Sequence, residues 1–306
     1  MSNKPIMLSL DCVSFGYKKV PTLSIDNVSF NLLKGSCTAI LGPNGAGKST
    51  LISLMTGLLS AQCGQISYPY YSEYNTAQAI ALKVALVPQD FAFYHELSVY
   101  DNLAFFVSIS EKNRQLQMPI IETAISLSGL SEVVNKTAGT LSGGYKRRLN
   151  IAIALSKEPD IIFLDEPTVG IDPLSRDDII ALLLTLKKQG KTLVYTSHLL
   201  HEVTQLCDEV VFLRAGKIVA NESLQGQNLA LSFTTFKPLS VAEQLLFTGQ
   251  LTTVRDEYYQ VAIHNSQQLG HVFTALGQLS EVVKTLSFSD NHIEQLYRDL
   301  FTESLC

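Results

Sequence analysis

Gly42-Pro43-Asn44-Gly45-Ala46-Gly47-Lys48-Ser49 spells G-x-x-x-x-G-K-[ST], a pattern suited to phosphate chemistry. It follows a short apolar run, residues 37–41, and opens a run at 50–59 whose apolar spacing is helical. Glycines let the backbone take positive φ and wrap closely around an anion. The loop N–H groups then converge at a helix N-terminus, where the macrodipole is positive. Lys48 is placed to reach the β- and γ-phosphates of a nucleotide, and the Ser49 hydroxyl to ligate Mg2+. A glycine turn with a helix cap and no ligand is the plain alternative, and the strand–loop–helix order argues against it.

A second stretch supplies carboxylates. Residues 161–164 are apolar and end in Asp165-Glu166. Charges at the end of a buried strand are costly unless they face a cation or water. The C-terminal edge of a parallel sheet is also where ligands bind. Asp165 is therefore the candidate Mg2+ partner, and Glu166 the candidate for polarising an attacking water. By itself such a pair also reads as a solvated strand end; the phosphate loop favours the chemical reading.

Residues 141–149 read Leu-Ser-Gly-Gly-Tyr-Lys-Arg-Arg-Leu. A phosphate loop, then Leu-Ser-Gly-Gly, then apolar-Asp-Glu-Pro, in this order and spacing, resembles the ATP-binding cassette (ABC) ATPases over about residues 1–220. The resemblance implies an ATP site made of Tyr17, Gly42, Pro43, Asn44, Gly45, Ala46, Gly47, Lys48, Ser49 and Thr50, with Mg2+ at Ser49, Gln89 and Asp165. It implies that Tyr17 stacks on adenine, the alternative being a turn aromatic. Gln89, after Val87-Pro88, matches the family's glutamine that touches Mg2+ and the attacking water. His198 matches the switch histidine at the γ-phosphate, and Glu166 the residue that activates water. Asp172 matches a residue that crosses the dimer interface, and it also reads as a helix N-cap before Pro173.

Ser142, Gly143 and Gly144 open a helix at 145–157 and form a second anion site. Lys146, Arg147 and Arg148 add positive charge expected to draw in a polyphosphate. In the family this signature faces the ATP held by another subunit, which implies a dimer, expected to be a homodimer. Tyr145 departs from the commoner Gln of the signature. The family splits into cassettes that drive membrane permeases and soluble relatives that act on chromosomes or ribosomes. This chain has one cassette, no long coiled coil and no basic tract. The expectation is an exporter-type subunit for drugs, antibiotics, haem or lipids, working on a separate integral-membrane permease at the cytoplasmic face of the inner or plasma membrane. The alternative is a soluble, non-transport ABC ATPase in a cytosolic complex.

Positioning these residues requires an α/β frame. Apolar runs at 37–41, 79–88, 161–164 and 192–196 alternate with helical patterns, which predicts a mainly parallel core sheet. Strands at 8–15 and 23–32 predict an antiparallel subdomain, and a hairpin is expected around Ala215-Gly216. Residues 90–157 read as a helical insertion. Aromatic and aliphatic residues at 91–106, among them Phe91, Phe93, Tyr94, Phe105 and Phe106, are expected to form its core, with a subset on a permease-facing groove.

Residues 221–306 read as a small α+β unit, with strands near 229–233, 251–255, 258–264 and 282–288 and helices at 266–279 and 293–301. The chain has 306 residues and a net charge of −5. Residues 221–306 hold 4 Lys+Arg and 9 Asp+Glu, so the net charge sits in this tail. No positive excess exists for bulk nucleic-acid binding, and no nucleic-acid partner is expected. The cysteines Cys12, Cys37, Cys63, Cys207 and Cys306 form no CxxC pair, which argues against a disulfide framework or a zinc spacing. The first residues carry no long apolar run of a secretory signal, and a cytoplasmic location is expected.

Overall fold

The computed structural model describes residues 4–18, 21–224, 229–247, 251–255, 257–263, 266–289 and 291–302. His264 and Cys306 therefore lie outside the described residues. The chain forms two compact units, Met1–Leu224 and Gln225–Cys306.

The first unit runs β1 (Ile6–Phe15), β2 (Ile25–Leu33), β3 (Cys37–Leu41), α1 (Lys48–Met55), β4 (Cys63–Ser67), α2 (Thr76–Lys83), β5 (Val84–Val87), α3 (Val99–Ser110), α4 (Arg114–Leu127), α5 (Gly143–Leu155), β6 (Ile161–Leu164), α6 (Pro173–Lys188), β7 (Thr192–Thr196), α7 (Leu200–Leu206), β8 (Glu209–Arg214) and β9 (Lys217–Ser223). Six strands make one sheet in the order β5-β6-β7-β3-β8-β9. All neighbours in it are parallel except the hairpin pair β8 and β9. β9 continues past residue 220 and still pairs at Ser223, opposite Glu209. A second, antiparallel sheet has the order β2-β1-β4.

The parallel strands are buried along their whole length in β3, β6 and β7. This is why they read as apolar runs without alternation. One core joins the two sheets: Leu8, Val13 and Ile25 pack in the same cluster as Ile40, Leu51 and Phe163. The register then decides where the chemistry lies. Leu164 pairs with Val87 on one side and Tyr195 on the other, and Ile40 pairs with Thr196. β3, β5, β6 and β7 thus end along one edge. The residues that follow them, Gly42, Gln89, Asp165 and His198, leave the sheet together.

Two expectations change. Residues 79–88 are not one strand, because 79–83 belong to α2. Asn75 accepts from the Gln78 N–H while the Gln78 side chain accepts from the Asn75 N–H, a reciprocal capping box. The Thr-Ala-Gln-Ala-Ile-Ala-Leu-Lys sequence that follows is made largely of good helix formers, and only Val84–Val87 joins the sheet. Helix α1 is also shorter than the 50–59 pattern: it stops at Met55, and Gly57 turns away at φ +74°.

The insertion between β5 and β6 is helical. Phe93, Val99, Leu103, Val107, Ile121, Ala124 and Leu149 form its own core. Tyr94 and Phe105 remain largely exposed and meet edge to face at 5.0 Å, with Phe106 beside them.

The second unit runs β10 (Leu229–Thr235), α8 (Val241–Leu245), β11 (Leu251–Arg255), β12 (Tyr258–Ile263), α9 (Ser266–Gln278), β13 (Val283–Ser289) and α10 (Asn291–Thr302). Its antiparallel sheet has the order β11-β12-β10-β13, the split βαβ arrangement. Alternation along β10 and β12 sends Leu231, Phe233, Tyr259 and Val261 into a core with Val272 and Leu276 of α9.

Replacing Asn75 by Ala removes the side-chain oxygen that caps the Gln78 N–H and leaves the reciprocal bond from the residue-75 N–H to the Gln78 side chain in place. It is expected to lower unfolding stability by about 1 kcal/mol, read as a lower urea midpoint with an unchanged slope. An unchanged midpoint would remove the box from the account of why this segment is helical.

Candidate functional site

The phosphate loop is pressed against the end of β8. A Cβ on Gly42 would stand 2.2 Å from the Leu213 carbonyl oxygen, and one on Gly47 2.5 Å from that of Ser24. Gly47 also sits at φ +106°, so glycine is required there twice over. The loop is tied down through Gly216 N–H to the Ala46 carbonyl at 2.9 Å. Helix α1 starts at Lys48 with Gly47 as N-cap, and no side chain caps it. Its first amides therefore retain their capacity to bind an anion.

Lys48 is 6% exposed. Its ammonium donates to the carbonyls of Gly42 at 2.9 Å and Pro43 at 3.3 Å. Burial pushes its pKa down, and the carboxylates of Glu166 and Asp165 oppose that shift. An ammonium has three N–H donors, so one is left over for an incoming oxygen.

Asp165 continues the line of β6: its N–H donates to the Val87 carbonyl at 3.0 Å. Thr196, buried at the end of β7, donates from Oγ1 to Asp165 Oδ1 at 2.9 Å and accepts from the Glu166 N–H at 2.8 Å. Glu166 has φ +48°, a conformation that costs a non-glycine residue about 1–3 kcal/mol. The turn points its carboxylate toward the sheet edge, where two side chains hold it. Gln89 Nε2 donates to Oε2 at 3.2 Å, and His198 Nε2 lies 2.6 Å from Oε1.

Below these residues lies a second buried carboxylate. Glu202 Oε2 accepts from Thr168 Oγ1 at 2.9 Å, Tyr195 OH at 2.6 Å and Ser197 Oγ at 2.7 Å. Arg176 Nε lies 3.4 Å from its other oxygen. The network fixes Ser197, the residue before His198, and the loop after Glu166.

A cleft of about 710 Å3 opens between the loop and these strand ends. Asn44, Gly45, Gly47, Lys48, Ser49, Thr50, Gln89, Glu166 and His198 line it, with Ser24 and Val169, which sequence reasoning did not single out. Tyr17 is exposed beside it, its hydroxyl 3.3 Å from Thr50 Oγ1 and its ring edge-on to Phe15. Asp165 sits just beneath, largely buried. Gly42, Pro43 and Ala46 belong to the loop but do not line the cleft.

Ser142, Gly143 and Gly144 do not line this cleft. Ser142 is the N-cap of α5, and a Cβ on Gly144 would meet Ser175 Oγ at 2.3 Å. Asp172 caps α6 by accepting from the Ser175 N–H at 3.0 Å. Of the three basic residues after the signature, two are turned inward rather than toward an anion. Arg147 is buried against the Pro88 and Gln89 carbonyls. Arg148 pairs with Asp178 at 3.2 Å and covers the Tyr145 ring.

Fold and cleft together define a P-loop nucleotide-binding cassette. The sequence model of the family described as ABC transporter matches residues 25–169. Over 196 residues the chain is 37% identical to the linearmycin resistance ATP-binding protein LnrL of Bacillus subtilis (strain 168), covering 64% of this chain and 63% of that protein. Over 220 residues it is 34% identical to the Nod factor export ATP-binding protein I of Bradyrhizobium diazoefficiens, covering 72% and 71%. Among solved structures it resembles CbiO1 of Clostridium perfringens, described as part of the ABC transporter complex cbiONQ. That likeness has a TM-score of 0.65 and 27% identity and covers 72% of this chain and 89% of the other. The chain belongs to the ABC transporter family, as an ATP-binding cassette.

Thr196→Val keeps the shape of the side chain but removes the hydroxyl that joins Asp165 to the Glu166 amide. It is expected to cost about 1–3 kcal/mol of stability, since it leaves two polar groups unpaired. Chemical denaturation reads this directly, and a neutral result would contradict the bridge.

Proposed function

We propose that this chain binds ATP with Mg2+ in the cleft beside Lys48 and hydrolyses it to drive a separate membrane permease in export. The observation that carries the reading is the grip of Gln89 and His198 on the Glu166 carboxylate, across a cleft that also presents Lys48 and the uncapped start of α1. The loop amides and Lys48 bind the phosphates, and Tyr17 takes the base. With Mg2+ bound beside the nucleotide, Ser49, Gln89 and Asp165 would hold it, and it would supply positive charge to the transferring phosphate. A hydroxyl, an amide oxygen and a carboxylate are the oxygen ligands that such a hard cation takes.

Glu166 then acts as general base. It takes a proton from a water as that water's oxygen bonds to the γ-phosphorus, and the bond to the β-phosphate oxygen breaks to leave ADP. Lys48 and the loop amides stabilise the charge that moves onto the leaving oxygen. Gln89 and His198 orient the base and the γ-phosphate.

Ser142, Gly143 and Gly144 lie away from this cleft and serve the ATP of a second copy, in a dimer closed by two nucleotides. The export assignment rests on relatives named for linearmycin resistance, Nod factor export and lantibiotic transport. No helix among the described residues is long and apolar enough to cross a membrane. The permease is read as another chain, docked at the exposed Tyr94 and Phe105 with the half-buried Phe106 beside them, and this protein on the cytoplasmic face. The second unit, with its acidic composition, is an accessory domain of the subunit.

Glu166→Gln is expected to lower ATP turnover by about 10²–10⁴-fold while nucleotide binding is kept, the range for loss of a general base. Phosphate release and fluorescent-nucleotide binding on the purified variant measure the two separately. Near-normal turnover would remove Glu166 from the mechanism. The same variant, tagged and crosslinked in cells, is expected to co-purify a polytopic membrane protein in comparable amount. Recovery with only soluble partners would overturn the transport reading and leave the ATPase reading standing.

A further inference from the structure

The loop that carries Gln89 is held by two side chains of the helix that begins at the signature. Arg147 is 3% exposed and donates from its two terminal nitrogens to the carbonyls of Pro88 at 2.9 Å and Gln89 at 2.8 Å. Its guanidinium lies over the Phe91 ring at 5.0 Å. Asn150, also 3% exposed, stands three residues further along, on the same helix face. Its Nδ2 donates to the carbonyls of Pro88 and Asp90, each at 3.2 Å, and its Oδ1 accepts from the Ala92 N–H at 3.0 Å. Three consecutive carbonyls and one amide of the segment 88–92 are thus bound by one face of α5. A shift of this segment alone is costly, because it would leave the buried Arg147 and Asn150 side chains without their partners.

Within the same segment the Gln89 side chain reaches Glu166. The opposite direction along α5 leads from Arg147, in just over one turn, to Ser142 at the helix start. α5 is therefore a rigid lever with the signature at its tip and the Gln89 loop fastened to its side.

We propose that Arg147 and Asn150 are positioning residues that fasten Gln89 to α5, so that the placement of the signature helix sets the placement of Gln89 on the Glu166 carboxylate. The inference rests on the ATPase reading above. Neither residue touches the cleft, so both act through Gln89 alone. A displacement of about 1 Å in a catalytic group costs up to about 100-fold in rate, and the two-residue clamp keeps the loop within that tolerance. Lysine cannot replace Arg147, since a single ammonium does not reproduce a planar fork that spans two carbonyls.

The test uses the full-length protein with Asn150→Ala, Arg147→Lys and Gln89→Ala, alone and combined. Asn150→Ala removes three hydrogen bonds and little volume, so it is the primary variant; Arg147→Lys keeps the charge and the length. Each is expected to lower kcat for ATP by about 10–100-fold with KM and nucleotide affinity within about twofold. In the Gln89→Ala background the further loss is expected to disappear, because both act by one route. Amide exchange is read in parallel, and Asn150→Ala is expected to remove protection at Ala92.

Full activity in Asn150→Ala with Ala92 deprotected would overturn the positioning role. Losses that multiply independently of Gln89 would mark the two residues as merely structural. A wild-type protein that binds ATP without hydrolysing it would overturn the ATPase reading instead. In that case exchange decides the clamp: ATP·Mg2+ must alter protection at 89–92 in the wild type and not in Asn150→Ala, and the same response in both would reject it.

Discussion

The structure depends on an ammonium group kept in a place where a cation is costly. Lys48 begins a helix at the end of a fully buried strand, and burial disfavours its charge. Two things hold it there: two loop carbonyls accept from it, and two strand-end carboxylates lie near enough to favour its charge. The N-terminal amides of α1 carry positive partial charge beside it, which opposes the ammonium and adds to the attraction for an anion. The position is tolerable without a ligand and more favourable with a polyphosphate. The two glycines that let the loop press against Leu213 and Ser24 serve this one requirement. Any side chain at those points would push the loop off the sheet and the lysine out of its cage.

The sheet converts that local constraint into a site. Parallel register places the ends of β3, β5, β6 and β7 side by side, so residues far apart in the chain arrive at one edge. At this edge Glu166 departs from regular geometry, with a positive φ where no glycine stands. Thr196 holds its amide, while Gln89 and His198 hold its carboxylate. Beneath it the Glu202 network ties the loop after Glu166 to the segment that carries His198. A strained residue persists only when its surroundings over-determine it, and these contacts do so. The hydrogen bonds from α5 to the loop at 88–92 add the helical insertion to the same frame.

Much of this was legible in the sequence where chemistry sits next to periodicity. The phosphate loop and Asp165-Glu166 each follow an apolar run, so pattern and position agree. Family resemblance supplied Gln89, Tyr17, His198 and the signature, which no spacing argument could reach. Residues whose partners are distant in sequence were not legible. Thr196 matters through Glu166, 30 positions away, and Arg147 through Pro88, 59 positions away. Three adjacent basic residues looked like an anion lure, yet two of them face protein carbonyls, a carboxylate and aromatic rings. The misjudged strand at 79–88 has a similar cause. Its apolar content suits either element, and the capping box at Asn75 and Gln78 decides for helix before the strand begins. The edge strand β4 escaped notice because its largely exposed, polar residues show no alternation.

The central claim is that the cleft recognises phosphates, through the caged lysine and the uncapped helix start, rather than the base. Isothermal titration of the purified chain with ATP, ADP and AMP, each with Mg2+, tests it most directly. The account predicts measurable binding of ATP and ADP and none of AMP, because AMP brings no β-phosphate to Lys48. Equal affinity for all three nucleotides would contradict it and would move the source of binding energy from the loop to the base.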